Sequence, residues 1–194
     1  LVLSDAELDL ELTPGLDVAR RTYVALCHHP VRDRDGRAVT SSLTNFDVHD
    51  LARSASTYGL AGYVVVTPIT SQRDKAEHIA RLWQESETGE HRASALALVL
   101  VAASIAEAVG QVAALHGGVA PRVVATSAAP HAFPGLPRYT PTTLVQACAQ
   151  APETPVLVLF GTGWGLIEEQ VPEATCLLTP IRGRPAWNHL SVRS

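Results

Sequence analysis

The sequence lacks the long apolar run and the basic leader that mark membrane and exported proteins. Its longest apolar stretch, around residues 95–106, is too short to span a bilayer and is interrupted by Ser104. Residues 1–12 are acidic and have no basic segment of the kind that begins a signal peptide. We therefore expect a cytoplasmic protein with no membrane partner.

Cysteine is also scarce. Cys27, Cys148 and Cys176 are odd in number, far apart and in apolar surroundings, and the sequence has no C-x-x-C pair. This argues against a disulfide framework or a zinc site and for buried thiols in a reducing compartment. His28 and His29 are adjacent, so a strand would not point both at one ion. We expect no metal.

Positive charge is limited, and it is almost entirely arginine. The net charge is −4 and Lys75 is the only lysine, so no general attraction to polyanions is implied, and we expect no DNA partner. The arginines of the predicted loops could bind phosphates bidentately, or they could be solvated loop residues. These arginines are Arg32, Arg34, Arg37, Arg182, Arg184 and Arg193.

The most informative stretch that is present is a strand followed by a glycine-rich loop. Val156–Phe160 is apolar and rich in β-branched residues, and Gly161, Gly163 and Gly165 follow it. Open α/β sheets bind small molecules at such strand ends. A tight turn without a ligand is the alternative.

Apolar runs alternate with helical patterns along the chain, which predicts an α/β fold with a mostly parallel sheet and helices on both faces. A long loop is expected at Ser127–Tyr139. The predicted strands are Thr22–His28, Gly62–Thr67, Leu96–Val101, Arg122–Thr126, Val156–Phe160 and Cys176–Leu178. The predicted helices are Asp47–Tyr58 ended by Gly59, one capped by Ser71 and running to about Ser86, Ser104–His116, one beginning at Thr140-Pro141, and a short one near Glu168.

The glycine loop does not match the common nucleotide motifs. It lacks the G-x-G-x-x-G spacing with a following long helix and acid, and it lacks the lysine of a P-loop. Trp164, between two glycines, must pack on something to be ordered. An aromatic ligand or the edge of the core could serve.

Four segments in combination resemble a known family. They are the loop Phe160–Leu166, the segment Pro180–Gly183, the run Asn188–Ser194 and the upstream helix Thr44–Ser54. Together they resemble a bacterial group of SPOUT-superfamily RNA methyltransferases, similar to a domain associated with tRNA guanine-N1 methyltransferases. The resemblance assigns residues 22–194 to one SPOUT-like domain and leaves residues 1–21 as an N-terminal tail.

The resemblance implies a deep C-terminal trefoil knot that binds S-adenosylmethionine and releases S-adenosylhomocysteine. It also implies a homodimer, with sites near the interface, that methylates a nucleoside of structured RNA, tRNA or rRNA. A non-catalytic knotted scaffold that binds RNA or the cofactor is the alternative. Members of the family have a helix after the last motif, and we expect a further helix to follow Ser194 in the complete protein.

Site residues carry over by position. Arg53 matches an arginine that positions or activates the target in the ribose-methylating branch, and His49, one turn before it, could take a proton. An exposed capping cluster is the alternative for both. Asp47 stands where those relatives tend to have asparagine, which leaves the methylated atom open. The implied catalytic residues are Arg53, His49 and Ser191; the implied cofactor-binding residues are Thr126, Ser127, Gly161, Gly163, Trp164, Gly165, Leu178, Ile181, Gly183, His189, Leu190 and Ser191.

Overall fold

A computed structural model describes residues 15–84, 90–129 and 131–181 of the chain. Seven parallel strands form one sheet in the order β5-β4-β1-β8-β6-β9-β7, and β2 and β3 form a separate antiparallel hairpin. The strands are β1 (Thr22–Cys27), β2 (Val31–Arg32), β3 (Ala38–Val39), β4 (Gly62–Val66), β5 (Val99–Ala102), β6 (Arg122–Thr126), β7 (Arg138–Tyr139), β8 (Val156–Gly161) and β9 (Cys176–Leu178). The helices are α1 (Asn45–Thr57), α2 (Thr70–Gln84), α3 (Glu90–Leu96), α4 (Ile105–Leu115) and α5 (Pro141–Ala149), with a 3-10 turn at Glu168–Gln170.

The sheet is covered by helices on both faces, as predicted. On one face, α4 packs Ile105, Ala108 and Val112 against alternate residues of the central strands. On the other, α1, α2 and α3 cover β1 and β4, while α5 covers β6 and β9. Strand β4 is buried at every position, as its continuous apolar sequence predicts for a strand enclosed on both faces.

Side-chain caps and glycines fix the ends of the helices. Thr44 and Asp47 form a capping box at the start of α1, and Gly59, with φ of +65°, ends it. The amides of Gly59 and Leu60 donate to the carbonyls of Ser56 and Ala55, which is a Schellman motif. The predicted cap of α5 at Thr140 and Pro141 is also confirmed.

Three of the predicted elements differ in the structure. Leu96 ends helix α3 and is not the start of a strand, because the apolar run around it continues a helical turn before β5 begins at Val99. Ser71 lies inside α2, which begins at Thr70, so it is not the cap. The expected long loop contains β7, whose Arg138 pairs with Leu177 of β9 at the edge of the sheet.

Strand β8 lies at the middle of the seven-stranded sheet, between β1 and β6. It follows β6 in sequence yet separates β6 from β1, and the chain then passes to the far side of β6 to form β9. Because all seven strands are parallel, the loops after β1, β6, β8 and β9 leave from one edge of the sheet. The predicted trefoil knot involves residues after 181, which lie outside the described part.

The described part of the tail packs on the domain. Residues 15–19 are helical, and Val18 is buried against α5 and β6. The guanidinium of Arg21 donates to the carbonyls of Thr154 and Cys148. None of the helices in the described ranges has both the length and the apolar character needed to cross a membrane.

Candidate cofactor site at the carboxyl edge of the sheet

Neighbouring strand ends bring the predicted cofactor loops together. Thr126 ends β6, Gly161 ends β8 and Leu178 ends β9, and β6 pairs directly with both of the other strands. Carboxyl ends of parallel strands are the usual ligand edge of an α/β sheet. The loops after these three strands therefore form the candidate site.

The tip of the β8 loop leaves backbone groups open. Gly163 is exposed with φ of +59°, and Gly165 has φ of +95°. The amides of Thr162 and Trp164 donate to the carbonyls of Cys27 and Arg32, and the amide of Gly165 donates to Thr162 within the loop. Within the ranges that the structure describes, neither the amide nor the carbonyl of Gly163 has a partner. This peptide can bind a ligand that offers both a donor and an acceptor.

The base of the same loop is closed. A Cβ atom at Gly161 would lie 2.6 Å from the amide nitrogen of Leu166 and 2.9 Å from the carbonyl carbon of Gly165. Both are backbone atoms, so neither can rotate away. The structure thus requires glycine at this position for the fold of the loop itself.

A chain of polar side chains connects the base of the loop to the end of β1. The hydroxyl of Ser41 lies 2.5 Å from the hydroxyl of Thr162 and 2.8 Å from Nδ1 of His28. Thr162 donates from both its amide and its hydroxyl to the carbonyl of Cys27. These contacts hold the β8 loop against the segment around Ser41 that leads into α1.

Among these hydrogen-bonded side chains, His28 is the most deeply buried, with 1% of its surface exposed. Its Nε2 atom has no hydrogen-bond partner within the described residues. Burial lowers the pKa of the imidazole, and the nearby carboxylate of Asp47 partly opposes this shift. His28 is therefore neutral at physiological pH. The sequence placed it at the end of a strand but gave no sign of its hydroxyl partners.

Trp164 does not pack into the core. Its side chain is 67% exposed, so of the two environments considered for it the core edge is wrong. Its amide donates to the carbonyl of Arg32 over 3.1 Å, and the amide of Arg32 donates to Gly165 over 2.9 Å. The tip of the β8 loop is thus hydrogen-bonded to the β2–β3 hairpin.

The flanking loops combine apolar and hydroxyl side chains. Leu178 is half-buried and Ile181 is exposed. Thr126 donates its hydroxyl to the carbonyl of Leu159, and the hydroxyl of Ser127 accepts from the amide of Ala129. The Thr126 hydroxyl thus ties the end of β6 to β8, and the Ser127 hydroxyl stabilises the turn that follows.

His49 and Arg53 lie on helix α1, and the contacts of His49 are with residues of α2 and α3. The ring of His49 meets that of Trp83 edge to face at 6.0 Å, and the guanidinium of Arg92 lies 4.4 Å from the centre of the same indole. Burial and the charges of Arg92 and Arg53 lower the pKa of His49, while Asp50 opposes them. In the described part of the chain, no hydrogen bond or ion pair joins His49 or Arg53 to the β8 loop.

Four predicted residues, Gly183, His189, Leu190 and Ser191, lie outside the described residues. Among the residues described, no group of three or more potential ligands is arranged to hold a metal ion. Cys27, Cys148 and Cys176 are buried free thiols, as expected.

The arrangement suits the predicted cofactor. The ribose hydroxyls and the ammonium and carboxylate groups of S-adenosylmethionine include both donors and acceptors, and an open peptide such as that of Gly163 can pair with such groups. Apolar side chains such as Leu178 and Ile181 can cover the faces of a base. The residues present at this edge therefore fit the group that the sequence resemblance implies.

Known proteins resemble this chain along most of its length. The model of a family of SAM-dependent RNA methyltransferases matches residues 21–194. A tRNA (guanine-N(1)-)-methyltransferase from Oleidesulfovibrio alaskensis is 35% identical over 202 aligned positions, covering 100% of this chain and 45% of that protein. A protein of the same name from Nitratidesulfovibrio vulgaris is 36% identical with the same coverage. The chain thus spans about half the length of these two relatives.

Solved structures share the fold. A methylase family protein from Neisseria gonorrhoeae superposes with a TM-score of 0.57 at 18% identity, covering 91% of this chain and 78% of that one. TrmJ from Z. mobilis superposes with a TM-score of 0.54 at 21% identity, covering 89% of this chain and 63% of that one. The family match over residues 21–194 identifies the chain as a member of a family of SAM-dependent RNA methyltransferases.

Proposed function

We propose that this protein transfers a methyl group from S-adenosylmethionine to a nucleoside of a structured RNA, a tRNA or an rRNA. The open peptide of Gly163, at the end of the central strand, is the observation that carries the proposal. The family match and the two tRNA methyltransferase relatives support the choice of RNA.

The three loops at the carboxyl edge would hold the cofactor, which supplies an electrophilic methyl group on a sulfonium. Backbone groups of the β8 loop would orient its ribose and methionine parts. The full set proposed to bind it is Thr126, Ser127, Gly161, Gly163, Trp164, Gly165, Leu178, Ile181, Gly183, His189, Leu190 and Ser191.

His49 and Arg53 would act on the acceptor, together with Ser191. The lowered pKa of His49 keeps its imidazole neutral, which suits a group that accepts a proton. Arg53 is exposed on the same face, one turn along α1. Its guanidinium would position the acceptor or its phosphate. Replacing Arg53 with alanine should abolish turnover and leave cofactor affinity intact.

The active form would be a homodimer with a trefoil knot, working in the cytoplasm. In such a dimer, with sites near the interface, α1 of one subunit would contribute His49 and Arg53 to the site formed by the β8 loop of the other. Mixing Arg53→Ala protein with Gly163→Ala protein should then restore activity that neither has alone. The three buried free thiols fit a reducing compartment.

The direct test is transfer of labelled methyl groups to RNA. Purified protein should label total RNA from matched cells that lack the gene and should not label RNA from cells that carry it. If neither RNA is labelled while S-adenosylhomocysteine still binds, the protein is a scaffold and not an enzyme.

A further inference from the structure

The β8 loop and the β2–β3 hairpin form one continuous ribbon. Val31 and Leu166 make an antiparallel bridge, and the amide of Ile167 donates to the carbonyl of Pro30. With the two hydrogen bonds between Arg32 and the Trp164–Gly165 pair, these contacts fix the backbone under Trp164 from both sides. The backbone from which this indole projects is therefore held by the fold.

No contact among the residues that the structure describes explains why Trp164 is exposed. Trp83, by contrast, is covered by the guanidinium of Arg92 and the ring of His49. No ring or cation from the described residues stacks on Trp164, and 67% of its surface is exposed. A large, flat and exposed aromatic surface at a ligand edge is suited to stacking against another planar group.

The hairpin beside Trp164 has three arginines, of which two form ion pairs. Arg32 lies 3.5 Å from Glu169 and Arg37 lies 3.2 Å from Asp35, both in solvent-exposed ion pairs of small energy. Asp33 closes the turn by accepting from two amides of the hairpin. Arg34 has no partner among the residues that the structure describes, so its guanidinium is available to an anion.

Resting on the proposed function, we propose that Trp164 and Arg34 form a docking surface for an unpaired nucleotide of the RNA. The base stacks on the indole, and the guanidinium of Arg34 binds a phosphate. RNA is recognised largely through unpaired bases that stack on aromatic side chains. On this assignment only the backbone of Trp164 faces the cofactor, beside the Gly163 peptide, and the indole contacts the RNA. Trp164→Ala therefore removes the RNA contact and leaves the backbone that the cofactor needs.

The charges around the indole indicate how much of the RNA affinity is electrostatic. The hairpin has three arginines and two aspartates, and the adjacent 3-10 turn adds Glu168 and Glu169, so this region has no net positive charge. Stacking must then supply most of the local affinity, with one phosphate contact from Arg34. One contact to single-stranded RNA contributes about 0.7 to the slope of log affinity against log salt.

Binding of unfractionated tRNA and of an oligoadenylate to the whole chain tests the surface. Trp164→Ala should weaken binding of both by roughly 5- to 150-fold, the range for one base stacked on an aromatic ring, and Trp164→Phe should retain most of it. Arg34→Gln should lower the salt slope by about 0.7. Tyr58→Ala is the matched control, because Tyr58 is also an exposed aromatic residue, 71% exposed, but at the opposite edge of the sheet.

Calorimetric titration with S-adenosylhomocysteine on the same variants separates this proposal from the proposed function. Retained cofactor affinity with weakened RNA binding in Trp164→Ala supports the docking surface. Unchanged RNA binding in that variant overturns it, and so does loss of cofactor affinity, which would place the indole in the cofactor site. If the unaltered chain binds the cofactor product but neither RNA, the docking surface is wrong while the cofactor site stands.

Discussion

The base and the tip of the β8 loop differ in how far their residues are enclosed and hydrogen-bonded by the rest of the fold. At the base, Gly161 is enclosed by backbone atoms, and Thr162 is bonded to the end of β1 and to Ser41. At the tip, Gly163 and Trp164 are exposed, and the peptide of Gly163 has no partner within the described ranges. A single glycine-rich motif thus contains a structural half and a binding half, and the two should respond differently to mutation.

The largest effect is expected at the base. Gly161→Ala places a methyl group 2.6 Å from the amide nitrogen of Leu166, so the loop must move. We expect a loss of about 3 kcal/mol in the free energy of unfolding, at the upper end of ordinary overpacking costs. Chemical denaturation measures it. A loss below about 0.5 kcal/mol would show that the base is not closed.

A smaller loss is expected from the hydroxyl chain. Thr162→Val removes one of the two hydroxyl-chain partners of Ser41 and should lower the free energy of unfolding by about 1 kcal/mol, because two part-buried hydrogen bonds are lost. Thr162→Ser retains the hydroxyl and should lose less. Equal losses in the two variants would mean that the methyl group, and not the hydrogen bond, stabilises the loop.

The pH dependence of stability tests His28. Its pKa is lowered in the folded state, so the unfolded chain takes up a proton first as the pH falls below about 6.5. Stability should therefore be highest above this pH and decline below it, by at most about 1.4 kcal/mol per pH unit for one group.

Denaturation of the His28→Asn variant between about pH 7.5 and about pH 5.5 should show a flatter decline. His49→Asn is the comparison, because His49 also has a lowered pKa but is only half-buried. An unchanged decline in His28→Asn would assign the pH dependence to other groups.

The smallest effect on stability is expected at the tip. Trp164→Ala should change the free energy of unfolding by no more than about 0.5 kcal/mol, because the exposed side chain buries little surface and its hydrogen bond comes from the backbone. Thermal unfolding followed by circular dichroism measures it. A loss comparable to that of Gly161→Ala would remove the distinction between base and tip.

The sequence predicted the parts of the fold that depend on local pattern. Continuous apolar runs marked β4 and β8, and the Thr140-Pro141 pair marked the start of α5. It missed β7, because Arg138 and Tyr139 carry no apolar run and form a strand only by pairing with the distant residues Leu177 and Leu178. Around Leu96 the short apolar run is equally compatible with helix and strand, which is why the start of β5 was misplaced.

For the site, the sequence identified which loops meet but not how each residue is used. The exposure of Trp164 depends on its hydrogen bond to Arg32, more than a hundred residues earlier in the chain. The Ser41 bridge between His28 and Thr162 is equally non-local. No local pattern encodes such contacts, so they follow only from the folded arrangement.

Titration of the chain with S-adenosylhomocysteine tests the central claim, that the tip of the β8 loop is the cofactor site. Gly163→Ala adds a methyl group at the open peptide, 3.0 Å from the carbonyl oxygen of Arg32. Gly59→Ala is the control, since its φ of +65° is close to the +59° of Gly163 and its position is at the opposite edge. Both should lose about 1–2 kcal/mol of stability from the left-handed backbone.

We expect micromolar binding by the unaltered chain, equivalent to about 8 kcal/mol. We also expect this binding to be lost in Gly163→Ala and retained in Gly59→Ala. Equal affinity in all three folded proteins, or no binding by the unaltered chain, would contradict the central claim.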